Sequence, residues 1–153
     1  MYIESLSPEN SVAVIALEQS VESGWSDRAV RRELDRPLGL QLVAYERYAG
    51  TVIGWCCGFR VGQEAELLRI AVVLSERQRG VASALLAQFE RECTGQGQGA
   101  SSIFLEVAET NVAARRLYAQ FSYKQVGRRK DYYKQPVDDA LVLNKVLTPR
   151  KGV

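Results

Sequence analysis

The 153-residue chain contains no histidine. That absence removes Ser-His-Asp hydrolysis, Cys-His transfer chemistry and most zinc sites, all of which lean on imidazole. Any acid or base must therefore be Asp, Glu, Tyr, Lys or Cys, and no metal is expected. Cysteine is scarce as well: three residues, with Cys56 and Cys57 adjacent and Cys93 alone, in no spacing that a metal site or disulfide framework uses. They read as buried reduced thiols, and with no histidine to activate one, a covalent cysteine route is disfavoured. No stretch reaches the roughly 18 consecutive apolar residues of a membrane helix. The N-terminal MYIESLSPENS also lacks the basic and apolar regions of a signal peptide. A cytoplasmic protein without a membrane partner is the expectation. Neither charge is in real excess: 20 Lys+Arg against 18 Asp+Glu leave +2, too balanced to point to nucleic acid.

What is present suits one globular domain. The chain is 46% hydrophobic and 25% charged, enough for a core that stands alone and too short for a second full domain. Tyr2 to Leu6 reads as a strand. Ser7 as N-cap and Pro8 at the first helical position open a helix to about Val21. Ser26-Asp27 opens a second helix, through Leu34, that Pro37 brings to an end. LQLVAY (Leu40 to Tyr45) and TVIGWCCGF (Thr51 to Phe59) are strand-like, with Gly50 suggesting a hairpin between them. AELLRIAVV (Ala65 to Val73) is apolar on both sides of the pleat, as a strand covered on two faces would be. A helix follows from Val81 to about Cys93, ended by the glycine-rich loop Thr94 to Ala100. Then come a strand (Ser102 to Val107), a helix (Asn111 to Phe121) and two strands, near Tyr123 to Tyr132 and Ala140 to Val146. The order β-α-α-β-β-β-α-β-α-β-β predicts an α/β (α+β) single domain over residues 1–147, a mixed sheet with helices on both faces. Thr148 to Val153 has no periodicity and reads as a loose tail.

The most informative segment is RQRGVAS, Arg77 to Ser83, where the apolar strand gives way to a helix. The first backbone N–H groups of a helix have no intrahelical acceptor and attract phosphate. Gly80 and Ala82 leave room for a diphosphate to approach the main chain, Ser83 adds a hydroxyl, and Arg77 and Arg79 add positive charge. The alternative is an ordinary turn with solvated arginines. Neither GxxxxGK[ST] nor GxGxxG is present, so a common nucleotide motif does not account for it.

RQRGVA carries the pattern [QR]xxGx[GA] and so resembles the signature of the GNAT superfamily of acyl-CoA N-acyltransferases. Further blocks are similar to the bacterial ribosomal-protein alanine N-acetyltransferase type: GWS at Gly24 to Ser26, EAELLRIAV at Glu64 to Val72, FLEV at Phe104 to Val107, TNVAARRLY at Thr110 to Tyr118, and RRKDYY at Arg128 to Tyr133. The resemblance implies the GNAT fold, with acetyl-CoA as donor and a protein N-terminal peptide, that of a ribosomal protein, as partner. It implies that Ile70, Ala71 and Val72 hold the pantetheine arm through their main chain, and that the turn of Gln78, Arg79, Gly80, Val81, Ala82 and Ser83 holds the pyrophosphate. It places a cofactor contact on Asn111, the proton acceptor on Glu106 and the proton donor on Tyr118. The chain departs from the family at Arg69, where relatives often carry a small polar residue, at Ser122, where an LGF turn has glycine, and in the longer Thr94 to Ala100 loop.

Each of these residues also has a structural reading. Glu106 lies in the apolar IFLEV, where withdrawal from water strengthens a carboxylate as a base, but pleat alternation alone would also turn it to solvent. Tyr118 suits a donor to a thiolate or a core position beside Leu117. Asn111 opens a helix and suits an N-cap. Glu64, Glu66, Asp138 and Asp139 are candidates for an acidic mouth that receives a basic peptide, with Arg69 as a charge that repels it. Trp25, Tyr132 and Tyr133 are candidate groove walls or core aromatics. Acceptor chemistry favours an α-amine: with a pKa near 8, roughly a tenth of it is neutral at pH 7, against a few parts in ten thousand of a lysine amine. Three other readings stay open: the same fold acting on lysine or a small amine, a non-catalytic acyl-CoA sensor, and a nucleotide-phosphate binder.

Overall fold

The computed structural model describes residues 1–95 and 99–147; the terminal segment 148–153 and part of the glycine-rich loop lie outside the described residues. In chain order the elements are β1 (Tyr2–Ser5), α1 (Pro8–Ser20), α2 (Asp27–Glu33), β2 (Gly39–Tyr45), β3 (Val52–Val61), β4 (Glu64–Val72), α3 (Val81–Thr94), β5 (Ser102–Ala108), α4 (Val112–Gln120), β6 (Lys124–Lys134) and β7 (Val137–Val146), with a short 3-10 turn at Leu74–Glu76. This is the predicted order, and the fold is the predicted α/β sheet with helices on both faces.

Local chemistry explains the boundaries. Ser7 caps α1 in a reciprocal box with Asn10, with Pro8 at the start of the helix. Ser26 accepts from the Ala29 N–H to cap α2, and the Asn111 carboxamide accepts from the Ala114 N–H to cap α4. The β2–β3 hairpin turns through Gly50 at φ +64°.

The sheet has seven strands in the order β1-β2-β3-β4-β5-β7-β6, and only the β4–β5 pair is parallel. On one face α1 and α2 bury Val14, Leu17 and Val30 against Val43, Trp55 and Cys57. On the other, α3 and α4 bury Leu85, Leu86, Phe89 and Tyr118 against Cys56, Leu67, Ile103 and Leu105. Successive strand residues point to opposite faces, so the adjacent Cys56 and Cys57 enter different cores and do not pair. Burial pushes all three thiols up, Cys93 to about 12, which leaves them inert as nucleophiles at neutral pH.

Two irregularities shape the centre of the sheet. Gly58 pairs with Leu67 while Cys57 pairs with Arg69, so Leu68 is an extra residue, a β-bulge in β4. Phe89 packs against β3 here; a Cβ on Gly58 would lie 2.7 Å from its ring and 2.2 Å from the Glu66 carbonyl oxygen. Just past this bulge β4 and β5 separate. Their pairing stops at Leu67 and Leu105, although β4 stays paired to β3 as far as Val72 and β5 to β7 as far as Ala108.

Candidate active site

The separation opens a V between the C-terminal halves of two parallel strands. Backbone groups of Leu68 to Val72 that point toward β5 have no ladder partner there, and such groups demand one from a ligand or water. At the mouth of the V, β4 runs through the 3-10 turn into α3. Gly80 caps that helix at φ +81° with no side-chain cap, and Gln78 is also left-handed, at φ +64°. The N–H groups of Val81, Ala82 and Ser83 therefore open toward the turn with the positive end of the α3 dipole behind them. Nothing lies within 4 Å of where a Cβ on Gly80 would sit.

The two arginines of the turn differ. Arg79 is exposed and loosely paired with Glu76 at 3.6 Å. Arg77 folds back, its Nε donating to the Val72 carbonyl at 3.2 Å, and so ties the turn to the end of β4. Asn111 spends its Oδ1 on the α4 cap. Its carboxamide N–H groups make no hydrogen bond among the described residues.

Glu106 and Tyr118 belong to opposite faces of the sheet. Ile103, Leu105 and Val107 enter the α3/α4 core, so Glu106 points to the α1/α2 face, where its Oε1 lies 2.7 Å from Arg129 Nε. Tyr118 is only 7% exposed, with its ring edge-on to Tyr123 at 5.7 Å. Its hydroxyl makes no hydrogen bond among the described residues, yet no side-chain oxygen there is both sealed and unpartnered. The ring is therefore core and the hydroxyl opens to solvent. Burial is the main cause of a phenol pKa raised well above 10; Cys56 and Tyr133 add to the shift, and the Arg69 charge opposes it.

Arg69 corrects an expectation. The Leu68 bulge turns it onto the α1/α2 face, where its Nη2 and Nε donate to Glu18 at 2.6 and 2.9 Å. Glu18 is fully buried and also accepts from the Trp55 indole at 3.2 Å and the Trp25 N–H at 3.4 Å. The Arg69 charge is thus matched within the fold and does not confront a basic peptide. Trp25, partly buried and edge-on to Trp55 at 5.7 Å, is fixed by the same carboxylate.

The four expected carboxylates do not form one acidic mouth. Asp138 accepts from the Thr110 N–H and hydroxyl, and Asp139 is bound by Arg128 and the Asp131 N–H. Glu64 sits opposite Ser102, at the closed end of the β4–β5 pair. Glu66 alone joins Glu106: burial and the Glu106 charge both push its carboxyl up. It borders a shallow groove of about 210 Å³ with Phe59, Val61, Glu64, Ala65 and Phe104. A larger depression of about 560 Å³, around Glu90, Phe121 and Lys145, contains none of the residues gathered at the V. Tyr132 and Tyr133 stack edge-on at 5.2 Å. Tyr132 is exposed, and Tyr133 faces Glu106. Sequence reasoning missed Glu18 and Arg129. Glu18 gave no signal beyond being an acid in an otherwise apolar helical stripe.

The described residues hold no cluster suited to a metal ion and no helix long and apolar enough to cross a membrane. Residues 10–123 match the acetyltransferase (GNAT) family model. The chain is 31% identical over 125 residues to the N-alpha-acetyltransferase RimI of Mycobacterium tuberculosis, covering 79% of this chain and 75% of that one. It is 30% identical over 145 residues to the [ribosomal protein bS18]-alanine N-acetyltransferase of Salmonella typhimurium, covering 92% and 94%. Among solved structures, the ribosomal-protein-S18-alanine N-acetyltransferase of Escherichia coli superposes with a TM-score of 0.81 at 24% identity over 99% of this chain and 98% of that one. Arabidopsis thaliana NAA60 in complex with acetyl-CoA superposes at 0.81 and 17% identity, over 95% and 98%.

Proposed function

Since the chain belongs to the acetyltransferase (GNAT) family, we propose that it moves an acetyl group from acetyl-CoA to the N-terminal α-amine of a protein, the alanine of a small-subunit ribosomal protein in the cytoplasm. The observation that carries this reading is the V between β4 and β5, with the Glu106 carboxylate on β5 and a helix N-terminus without a side-chain cap at its mouth. The Salmonella typhimurium relative, named for ribosomal protein bS18 alanine acetylation, supports this choice of acceptor.

The chain's groups fit the donor. Main-chain groups on the open side of the Ile70, Ala71 and Val72 stretch suit the amides of a pantetheine arm, with the Val72 carbonyl already bound by Arg77, the turn from Gln78 to Ser83 suits a diphosphate, and the spare N–H groups of Asn111 suit a further contact. Bound there, acetyl-CoA supplies a thioester carbonyl. The neutral amine forms the new C–N bond as the C–S bond breaks. Glu106, directly or through one water, accepts the proton the amine sheds, and Tyr118 donates to the departing sulfur. Trp25, Tyr132 and Tyr133 border the acceptor's approach.

The test is mass spectrometry of peptides beginning Ala, Ser or Met, and of a blocked peptide with an internal Lys, incubated with acetyl-CoA. Acetylation of the Ala peptide at its α-amine supports the reading. Acetylation confined to lysine moves the acceptor class, and CoA binding without turnover leaves a sensor.

A further inference from the structure

The carboxylate assigned as base carries its own cation. Arg129 Nε lies 2.7 Å from Glu106 Oε1, and the arginine side chain is 60% exposed. Its guanidinium also lies 5.7 Å from the centre of the Tyr132 ring. This placement is built into β6. The register skips between Arg129 and Tyr133, and the bulge is pinned by the Asp131 N–H donating to Asp139 at 2.8 Å. Arg128, one residue earlier, is held by Glu109 and Asp139, so of the two adjacent arginines only Arg129 serves Glu106.

A charge count of this face sharpens the point. Glu106 on β5 and Glu66 on β4 face the opening, and Asp138 on β7 is turned to Thr110. Arg69 is already matched by Glu18, and Arg36, which also acts on Glu66, is paired with Glu33, which leaves Arg129, among the described residues, as the cation set against the two glutamates.

We propose that Arg129 determines acceptor specificity: a guanidinium held at the base disfavours a protonated amine and so selects acceptors that are already neutral at the working pH. The inference rests on the function proposed above and deepens it. At pH 7 a neutral-only rule favours an α-amine over a lysine side chain by roughly two hundredfold, from pKa values near 8 and 10.4. Without the arginine the two carboxylates attract an ammonium and take its proton in place, which relieves the penalty on lysine. The Tyr132 ring supports the guanidinium in this same position through a cation–π contact.

The experiment measures kcat/KM for an Ala-initiated peptide and for an N-terminally blocked peptide with one internal Lys, with the wild-type protein, Arg129→Gln and Arg129→Lys. Arg129→Gln is expected to raise activity on the lysine peptide and lower the α-amine to lysine ratio by about fivefold, the size an exposed ion pair carries. Arg129→Lys keeps the charge and the wild-type ratio. An unchanged ratio in Arg129→Gln, or a parallel loss on both peptides, overturns the proposal and makes the arginine a support for Glu106. Failure of the wild-type protein on every N-terminal peptide overturns the function itself, and this inference with it.

Discussion

Replacing Arg69 with alanine removes the cation from a carboxylate that has no water to fall back on. Glu18 is fully buried and the Arg69 side chain is 22% exposed. The pair is bidentate, and the two remaining donors to Glu18, the Trp55 indole and the Trp25 N–H, are neutral. Breaking such a pair costs about 3–5 kcal/mol, because the desolvated charge stays behind without its partner. That is a large share of the roughly 5–15 kcal/mol that holds a domain together. The exposed Arg31–Asp27 pair in α2 gives the contrast: Arg31→Ala should cost no more than about 0.5 kcal/mol. Urea unfolding followed by tryptophan fluorescence reads the effect directly, since both tryptophans, Trp25 and Trp55, belong to this network. Glu18→Leu combined with Arg69→Met should recover most of the loss, because an apolar pair carries no desolvated charge. A loss below about 1 kcal/mol in Arg69→Ala would mean that Glu18 finds another partner or water, and the account of the clamp would be wrong.

Glu106→Gln and Tyr118→Phe should each lower kcat by about a hundredfold or more, as loss of a positioned acid or base does, with CoA affinity by calorimetry unchanged; full turnover in both ends their assignment. Ser122→Gly should raise stability by about 0.5–1 kcal/mol in thermal unfolding, since Ser122 holds φ +69° after α4, where a Cβ costs roughly 1–2 kcal/mol and glycine returns part of that as unfolded-state entropy. No gain would show that the left-handed turn is unstrained. Glu66→Gln tests the sign of its shift. The folded-state pKa lies above the unfolded value, so the native state gains protons more readily and the penalty for the charged form is present above that pKa and relieved as pH falls. The variant should be more stable than wild type at pH 7, with the difference gone near pH 4; a difference that grows in acid contradicts the shift.

The sequence was sufficient for the elements and for the turn at Gly80, because caps, glycines and period-two apolar runs act locally. It failed at Arg69 for a geometric reason. Strict alternation along AELLRIAVV puts Arg69 on the same face as Ala65 and Leu67, under α3. The Leu68 bulge inverts the pleat, and the partner that makes a half-buried arginine tolerable lies 51 positions earlier, in α1. Asp138 and Asp139 misled for a similar reason. As a dipeptide they look like free acids, and only the β5–β7 and β6–β7 pairings bring Thr110, Arg128 and Asp131 to them. For Tyr118 and Asn111 the structural and functional readings do not compete. The ring packs while the hydroxyl stays open, and one amide oxygen caps α4 while its N–H groups remain available.

The raised pKa of Tyr118 constrains what this residue does under the proposed reading. Below pH 10 the phenol is always loaded with its proton, so the site needs no histidine to have a donor in place. Yet a phenol held above 10 is a weaker acid than an alkyl thiol, whose pKa is near 8.5. Full transfer to a thiolate therefore runs uphill on these two values alone. A hydrogen bond does not have that problem, since it stabilises charge as it builds on sulfur without the proton having to cross. The Arg69 charge opposes the Tyr118 shift and so strengthens the phenol as a donor. The clamp that fixes Arg69 on Glu18 keeps this charge near the hydroxyl while matching it from the other side. Under that reading Arg69 joins fold and chemistry: the bulge that turns it onto Glu18 also sets its charge against the rise of the Tyr118 pKa.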